Sequence, residues 1–240
     1  MPENGTSHTL AAFDVALKDA RSHVLTMASI TQQNLENAIK GLLTRNAELC
    51  NEAIAEDEDV NNLERQIDRE GFEILMRFNP VASDLREVLA GMKVANNLER
   101  VSDQAESIAR RARKVLKFSE IPEIQQIEAI YDLSSGMLRD AIRAYSEGDV
   151  ALGIALVERD EELDKMHRKM IKEFTKAIER DTTHLKVYFH LIFIVRCLER
   201  IGDHAANIAE DTIFAERATD VRHMDPGAAA EEVGVIPPQS

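Results

Sequence analysis

The sequence predicts an all-α protein of six long helices, folded as two tandem antiparallel three-helix bundles. Three observations carry this. Hydrophobic residues make up 44 % of the 240-residue chain, aromatics only 5 %, and there is no Trp. A composition led by Ala, Leu, Ile, Glu and Arg favours helix over sheet. Of the six prolines, only Pro80 and Pro122 fall between residues 3 and 221, so long helices can run uninterrupted. The third observation is an internal repeat. Leu98-Glu99-Arg100-Val101-Ser102-Asp103 returns as Leu198-Glu199-Arg200-Ile201-Gly202-Asp203, and seven of twelve positions are identical across 98–109 and 198–209.

The first helix is expected over 9–44. Asn46 is a plausible N-cap for the second, over 46–78. Pro80 restarts the periodicity, and Ser83 is a plausible cap for the third, over 81–117. Pro122 opens the fourth, 122–147. Glu147-Gly148-Asp149 reads as a stop followed by a start, with Asp149 capping the fifth, 149–179. The sixth covers 183–221. Helices of 30 residues and more are rods of about 45–55 Å, which must pack along their lengths. A weaker match pairs Asp57–Asn61 with Asp160–Asp164 at an offset of 103. Two matches at nearly one offset indicate a duplicated three-helix unit. The expected organisation is a first repeat at 9–118, a second at 122–221 and a disordered tail at 222–240, where composition turns to Ala, Gly, Pro and Glu. The first repeat, expressed alone, is expected to form a soluble helical domain.

With 29 basic and 43 acidic residues the formal charge is −14. Such a surface repels nucleic-acid phosphates and suits cations or basic partner surfaces. Cys50 and Cys197 stand far apart without a Cys-x-x-Cys, and read as buried small hydrophobes in a reducing compartment. Residues 1–10 carry no apolar signal-peptide region. The most apolar run, Val187–Val195, includes His190 and is far short of the roughly 20 residues of a membrane span. A soluble cytosolic protein is expected.

The repeat carries acidic pairs four residues apart: Asp57 with Asn61, Glu99 with Asp103, Asp160 with Asp164, and Glu199 with Asp203. Members of a pair share one helix face. On the third helix Val94, Leu98, Val101, Ala105, Ile108 and Ala112 centre on the opposite side, so Glu99 and Asp103 point away from the local seam. The sixth helix repeats this with Ile194, Leu198, Ile201, Ala205 and Ile208. The pairs on the second and fifth helices sit at the edge of buried stripes. Acids on long helices are ordinarily solvated. Yet like charges four apart cost about 0.2–0.5 kcal/mol, and carboxylates brought within ~4 Å across two helices repel by about 4 kcal/mol at an effective dielectric of ~20. A bound cation reverses that sign. Oxygen-only ligands favour Mg²⁺, Mn²⁺, Ca²⁺ or iron over a Cys/His zinc site, and a shared patch can hold several bridged ions.

Other signals are weaker. Glu64 and Asp68 extend the second helix's stripe, but His167 and Ile171 stand at their counterparts, so they are not common to both repeats. Asp164-x-x-His167 and Asp181-x-x-His184 come closest to the Glu-x-x-His of di-iron bundles, without a match in the first repeat. Arg110, Arg111, Arg113, Lys114 and Lys117 complement the third helix's C-terminal dipole, with docking of an acidic partner as the alternative. His190 reads as a core histidine. No phosphate-cradling glycine loop and no nucleophile with a neighbour set appear, so the chain does not read as an enzyme.

At Leu98–Asp103, at Leu198-Glu-Arg-Ile-Gly-Asp-His-Ala-Ala-Asn-Ile-Ala-Glu210 and at Asn79-Pro-Val-Ala-Ser-Asp-Leu-Arg86, the chain resembles the PhoU family, over about residues 9–218. The resemblance implies a six-helix, two-bundle, dimeric cytosolic protein with metal clusters on Glu/Asp-x-x-x-Asp motifs. It implies restraint of a phosphate-specific ABC transporter and its membrane sensor histidine kinase when phosphate is plentiful, with the membrane reached only through those partners. Carried over by position, the ligands are Asp57, Asn61, Glu99 and Asp103 in the first repeat, then Asp160, Asp164, Glu199 and Asp203 in the second. The ions are divalent or trivalent, from iron, manganese, magnesium, calcium or zinc. Asn61 replaces a frequent Asp and Ser102 a Gly, so the second site is expected to bind better, and the first helix pair to pack less closely at Ser102. The competing functions are a metal-dependent phosphoesterase and a metal-free helical adaptor for another transporter.

Overall fold

A computed structural model describes residues 4–222 and 224–235. The elements are α1 (Asn4–Leu43), α2 (Ala47–Ala55), α3 (Asp57–Phe78), α4 (Ala82–Val115), a 3₁₀ turn (Pro122–Gln126), α5 (Ile127–Glu147), α6 (Val150–Arg180), α7 (Leu185–Arg217) and α8 (Pro226–Glu232). No strand occurs among the described residues. The fold is all-helical and duplicated as expected, with α1, α3 and α4 answering to α5, α6 and α7.

The local chemistry explains the boundaries. Asn46 accepts a hydrogen bond from the Glu48 N–H and opens α2. Asp149 does the same for Leu152 at the start of α6, directly after Gly148 ends α5 with a left-handed φ of 65°. Glycine takes this conformation without strain, and a Cβ here would meet the Glu216 carboxylate. The expected second helix is interrupted by a single residue, Glu56, so that Asp57 heads α3. Ser83 does not cap. The chain already enters α4 at Ala82, and the Ser83 hydroxyl donates to Asp84 Oδ1 instead.

The repeats meet along α4 and α7, which run antiparallel. Arg86 Nε donates to the Ala215 carbonyl, Lys93 Nζ pairs with Asp211 Oδ1 at 2.8 Å, and His204 Nδ1 lies 3.1 Å from Asn97 Oδ1. The seam residues Val94, Leu98, Val101, Ala105, Ile108 and Ala112 are buried, as are Ile194, Leu198, Ile201, Ala205 and Ile208. They belong to one apolar cluster that continues from Val24 and Leu35 of α1 to Leu163 and Phe174 of α6. The two repeats therefore share their main core, beside a smaller cluster of Phe13, Ile74 and Val88 within the first. Arg45, itself at φ 56°, ties the start of α2 to the end of α4 through the Leu116 and Phe118 carbonyls, both at 2.8 Å. Both cysteines are buried free thiols, as expected.

The tail departs from expectation. Within 222–240, α8 is helical, capped by Asp225, and Ala229, Ala230 and Val233 are buried against Val150, Ile154, Ile213 and Val221. Alanines and one valine suffice because the receiving surface is already apolar; the absent periodicity reflected a helix of seven residues. Residues 236–240 lie outside the described part.

Candidate metal centres

The eight residues nominated from the sequence gather four and four, at the α3–α4 contact and at the α6–α7 contact. In the first cluster Asp57, heading α3, faces α4. Its Oδ1 accepts from the Ser102 hydroxyl at 2.7 Å, and its Oδ2 accepts from the Asn61 amide at 3.0 Å. Glu99 and Asp103 stand one turn apart on α4. Both carboxyls are raised above the usual carboxylate range. For Glu99 the causes are burial, then Asp103, with Glu64 and Asp57 adding to it against the opposing Arg100; for Asp103 they are burial, then Asp57, again against Arg100.

Glu99 Oε2 is the informative atom. It is buried without a hydrogen bond, and its one charged partner is the exposed Arg100, whose Nε stands 3.3 Å away. A carboxylate oxygen withdrawn from water with a single ion pair keeps capacity for a further cation. Glu99, Asp103 and Asp57 present only oxygen, a donor set that would suit a hard metal.

In the second cluster Asp160 and Asp164 on α6 face Glu199 and Asp203 on α7. Asp160 is raised by burial and then by Asp164 and Glu199. Asp203 is pushed up to about 6, first by lost hydration and then by Glu199, Asp160 and Asp164. The residue remains exposed at its outer edge. Its shift thus records lost hydration first and crowding by the neighbouring carboxylates second.

His167 joins this cluster, against the expectation of an oxygen-only site. Asp164, His167 and Glu199 each offer a ligand atom within 4.8 Å of the others, and His167 Nδ1 lies 3.9 Å from Glu199 Oε1. By sequence, Asp164-x-x-His167 has no match in the first repeat, where Glu64 stands in place of the histidine. Yet Glu64 is close enough to Glu99 to act on its carboxyl. The position carries a metal-capable donor in both repeats, Glu in one and His in the other, and comparing donor chemistry rather than identity would have found it. Asp68 takes no part in the interactions described for the site.

The helix contacts that frame the clusters differ in a compensated way. A Cβ at Gly202 would collide with Leu163 Cδ2. In the first repeat the counterparts are Ser102 and Val60, both buried. The smaller valine makes room for the serine, whose hydroxyl goes to Asp57. Ser102 thus does more than loosen a helix contact: it holds a candidate ligand.

A family model described as "PhoU domain" matches residues 24–112 and again 127–212. The phosphate-specific transport system accessory protein PhoU homolog of Pseudomonas putida is 34 % identical over 92 % of this chain and 87 % of its own length. The Pseudomonas aeruginosa homolog is 33 % identical over 95 % of each chain. The crystal structure of PhoU from Pseudomonas aeruginosa superposes with a TM-score of 0.84 at 32 % identity, covering 86 % of this chain and all of that one. The phosphate transport system regulatory protein PhoU from Streptococcus pneumoniae gives 0.80 at 25 % identity, covering 87 % of this chain and 99 % of that one. Two copies of the domain, the duplicated acidic helices and end-to-end similarity lead to one conclusion: the chain belongs to the PhoU family.

Proposed function

We propose that this protein is a non-enzymatic, metal-binding regulator of phosphate uptake, an accessory to a phosphate-specific ABC transporter and to a membrane sensor histidine kinase, working as a cytoplasmic homodimer. The relatives named as accessory proteins of the phosphate-specific transport system support the role. No described helix is long and apolar enough to cross a membrane; in this reading contact with the membrane system runs through partner proteins. The observation that carries the metal is the convergence of carboxylates across each helix pair, with Glu99 Oε2 buried without a hydrogen bond and Asp164, His167 and Glu199 offering ligand atoms within 4.8 Å of one another.

Asp57, Glu99 and Asp103, with Asn61, would hold ions in the first site. Asp160, Asp164, Glu199 and Asp203, with His167, would hold them in the second. Bound ions neutralise the crossed carboxylates, clamp α3 to α4 and α6 to α7, and turn two repulsive patches into rigid surfaces for partner contact. The second site offers more charge and should fill first.

The test is complementation of a deletion strain, scoring phosphatase expression and phosphate uptake in high phosphate. The wild-type gene should restore repression, and the Glu199→Gln/Asp203→Asn variant, folded but low in metal, should fail. Restoration by the variant would make the metal incidental to regulation. Turnover of a generic phosphate ester by purified protein, abolished by the same substitutions, would favour the phosphoesterase.

A further inference from the structure

The duplication relates two stretches of the α4–α7 junction, at opposite ends of the helix pair, and their chemistry has diverged. At one end Lys93 pairs with Asp211 in a groove where Glu210 and Arg222 balance the remaining charge, beside Leu89 and Asn96. At an offset of 100 the counterparts of Lys93 and Asp211 are Phe193 and Arg111. They meet too, but as a guanidinium 3.8 Å over an aromatic face. The ion pair has become a cation–π contact, which leaves the arginine's charge uncompensated.

The residues around this second contact share its character. Leu89 is answered by Phe189 and Asn96 by Arg196. Phe189 and Phe193 are 51 % and 43 % exposed, the largest outward aromatic surface on α7. Arg111, Lys114 and Arg196 have no carboxylate within ion-pair distance among the described residues; only Arg110 is paired, with Glu106 at 2.6 Å. Their field is felt beneath the surface. His190, whose Nδ1 is buried without a partner, is held in its neutral form first by burial and then by Arg111 and Lys114. A chain of net charge −14 keeps three unpaired cations around two exposed phenylalanines. The dipole of α4 accounts for charge near its last turn, but not for Arg196 on α7 or for the aromatics.

We infer that the face formed by Arg111 and Lys114 of α4 with Phe189, Phe193 and Arg196 of α7 is a docking surface for an acidic protein segment that carries an apolar anchor. Phe189 to Arg196 spans about 10 Å of helix, enough for two turns of a partner helix. An apolar side chain between the two phenylalanines would be flanked by carboxylates toward Arg111 and Arg196. This is the mode in which an amphipathic helix lies in a groove, with charge complementarity fixing its register. A bilayer is the poorer occupant. The surface is a junction between two helices rather than a protruding rim, and the remaining charge of the protein opposes an anionic membrane within a Debye length of about 8 Å. The inference is independent of the transport reading and of the metal.

The test uses the full chain and a labelled 18-residue synthetic helix with Leu and Glu on one face, beside its Lys-for-Glu and Ser-for-Leu forms. The acidic leucine peptide should bind, weakening several-fold between 50 and 300 mM KCl, while the basic form should not bind and the serine form should bind at least five-fold more weakly. Arg111→Glu/Arg196→Glu should cost at least ten-fold and Phe193→Ser at least five-fold, with unchanged thermal melts. Lys93→Ala, in the related groove, should change nothing. Should the charge-reversed variant melt early, Arg111→Gln/Arg196→Gln replaces it, with the same direction expected. Absence of binding, or binding unaffected by these substitutions, overturns the proposal. Vesicles with 30 % phosphatidylserine capturing the protein in place of the peptide would overturn it in favour of a membrane. A change in sedimentation mass on charge reversal would overturn it in favour of self-association.

Discussion

At the scale of single residues, the two repeats solve one packing problem with different pairs. Leu163 fills the space over Gly202, while Val60 leaves room for Ser102. Gly202→Ser should therefore overpack the α6–α7 contact and cost about 1–3 kcal/mol, readable as a lower melting temperature. A melt equal to the parent's would show that Leu163 can step aside. Asp203 supplies a pH prediction. Its carboxyl sits at about 6 in the fold and near 3.9 in an unfolded chain. Between those values the fold binds the extra proton, so this group's contribution to stability is largest at low pH and is lost as pH rises through about 6. The metal-free protein should gain thermal stability from this group on going from pH 7.5 to 5. Asp203→Asn should be more stable than the parent at pH 7.5 and gain less on acidification. A parent less stable than the variant at pH 5 by the same margin as at pH 7.5 would contradict the crowding described for the cluster.

At the scale of elements, helix existence was legible because proline placement and capping chemistry act locally. Asn46 and Asp149 cap through their side-chain oxygens, and Gly148 takes a left-handed turn because it has no Cβ. Ser83 failed as a cap because the start of α4 was decided one residue earlier, at Ala82. The juxtaposition of the seven acids and Asn61 follows from spacing the sequence displays: each pair shares a helix face and recurs in both repeats. His167 was not legible in this way, because the repeat conserves a donor position there and not a residue type. α8 was hidden for another reason: its stability comes from the surface that receives it. Removing residues 224–240 should uncover Val150, Ile154 and Ile213. On the order of 1–3 kcal/mol should be lost for these partly re-exposed side chains, while the helical content of residues 4–217 persists. An unchanged melt would show that α8 contributes nothing to the fold.

At the scale of the whole molecule, the duplication places two acidic faces on two repeats that share a main apolar cluster. The first repeat also holds a smaller cluster of its own, Phe13, Ile74 and Val88. Residues 1–118 by themselves would lack the residues of α5, α6 and α7 that complete the shared cluster. That fragment should self-associate or melt well below the full chain, by sedimentation and circular dichroism. A monomeric fragment as stable as the full chain would restore the two-domain view.

The claim that joins these scales is that the crossed carboxylates are built for cations. A ligand that binds only the folded state raises stability by RT ln(1 + [L]/Kd). The most direct measurement is the melting temperature of chelator-treated protein, titrated with Mg²⁺, Mn²⁺, Ca²⁺, Zn²⁺ and iron, for the parent and for Glu199→Gln/Asp203→Asn. The account predicts a saturable rise in the parent with at least one ion and a smaller rise in the variant, whose metal-free form melts at or above the parent's. Equal melting temperatures with and without every ion would contradict it, and leave the acids as a solvated face of a helical adaptor.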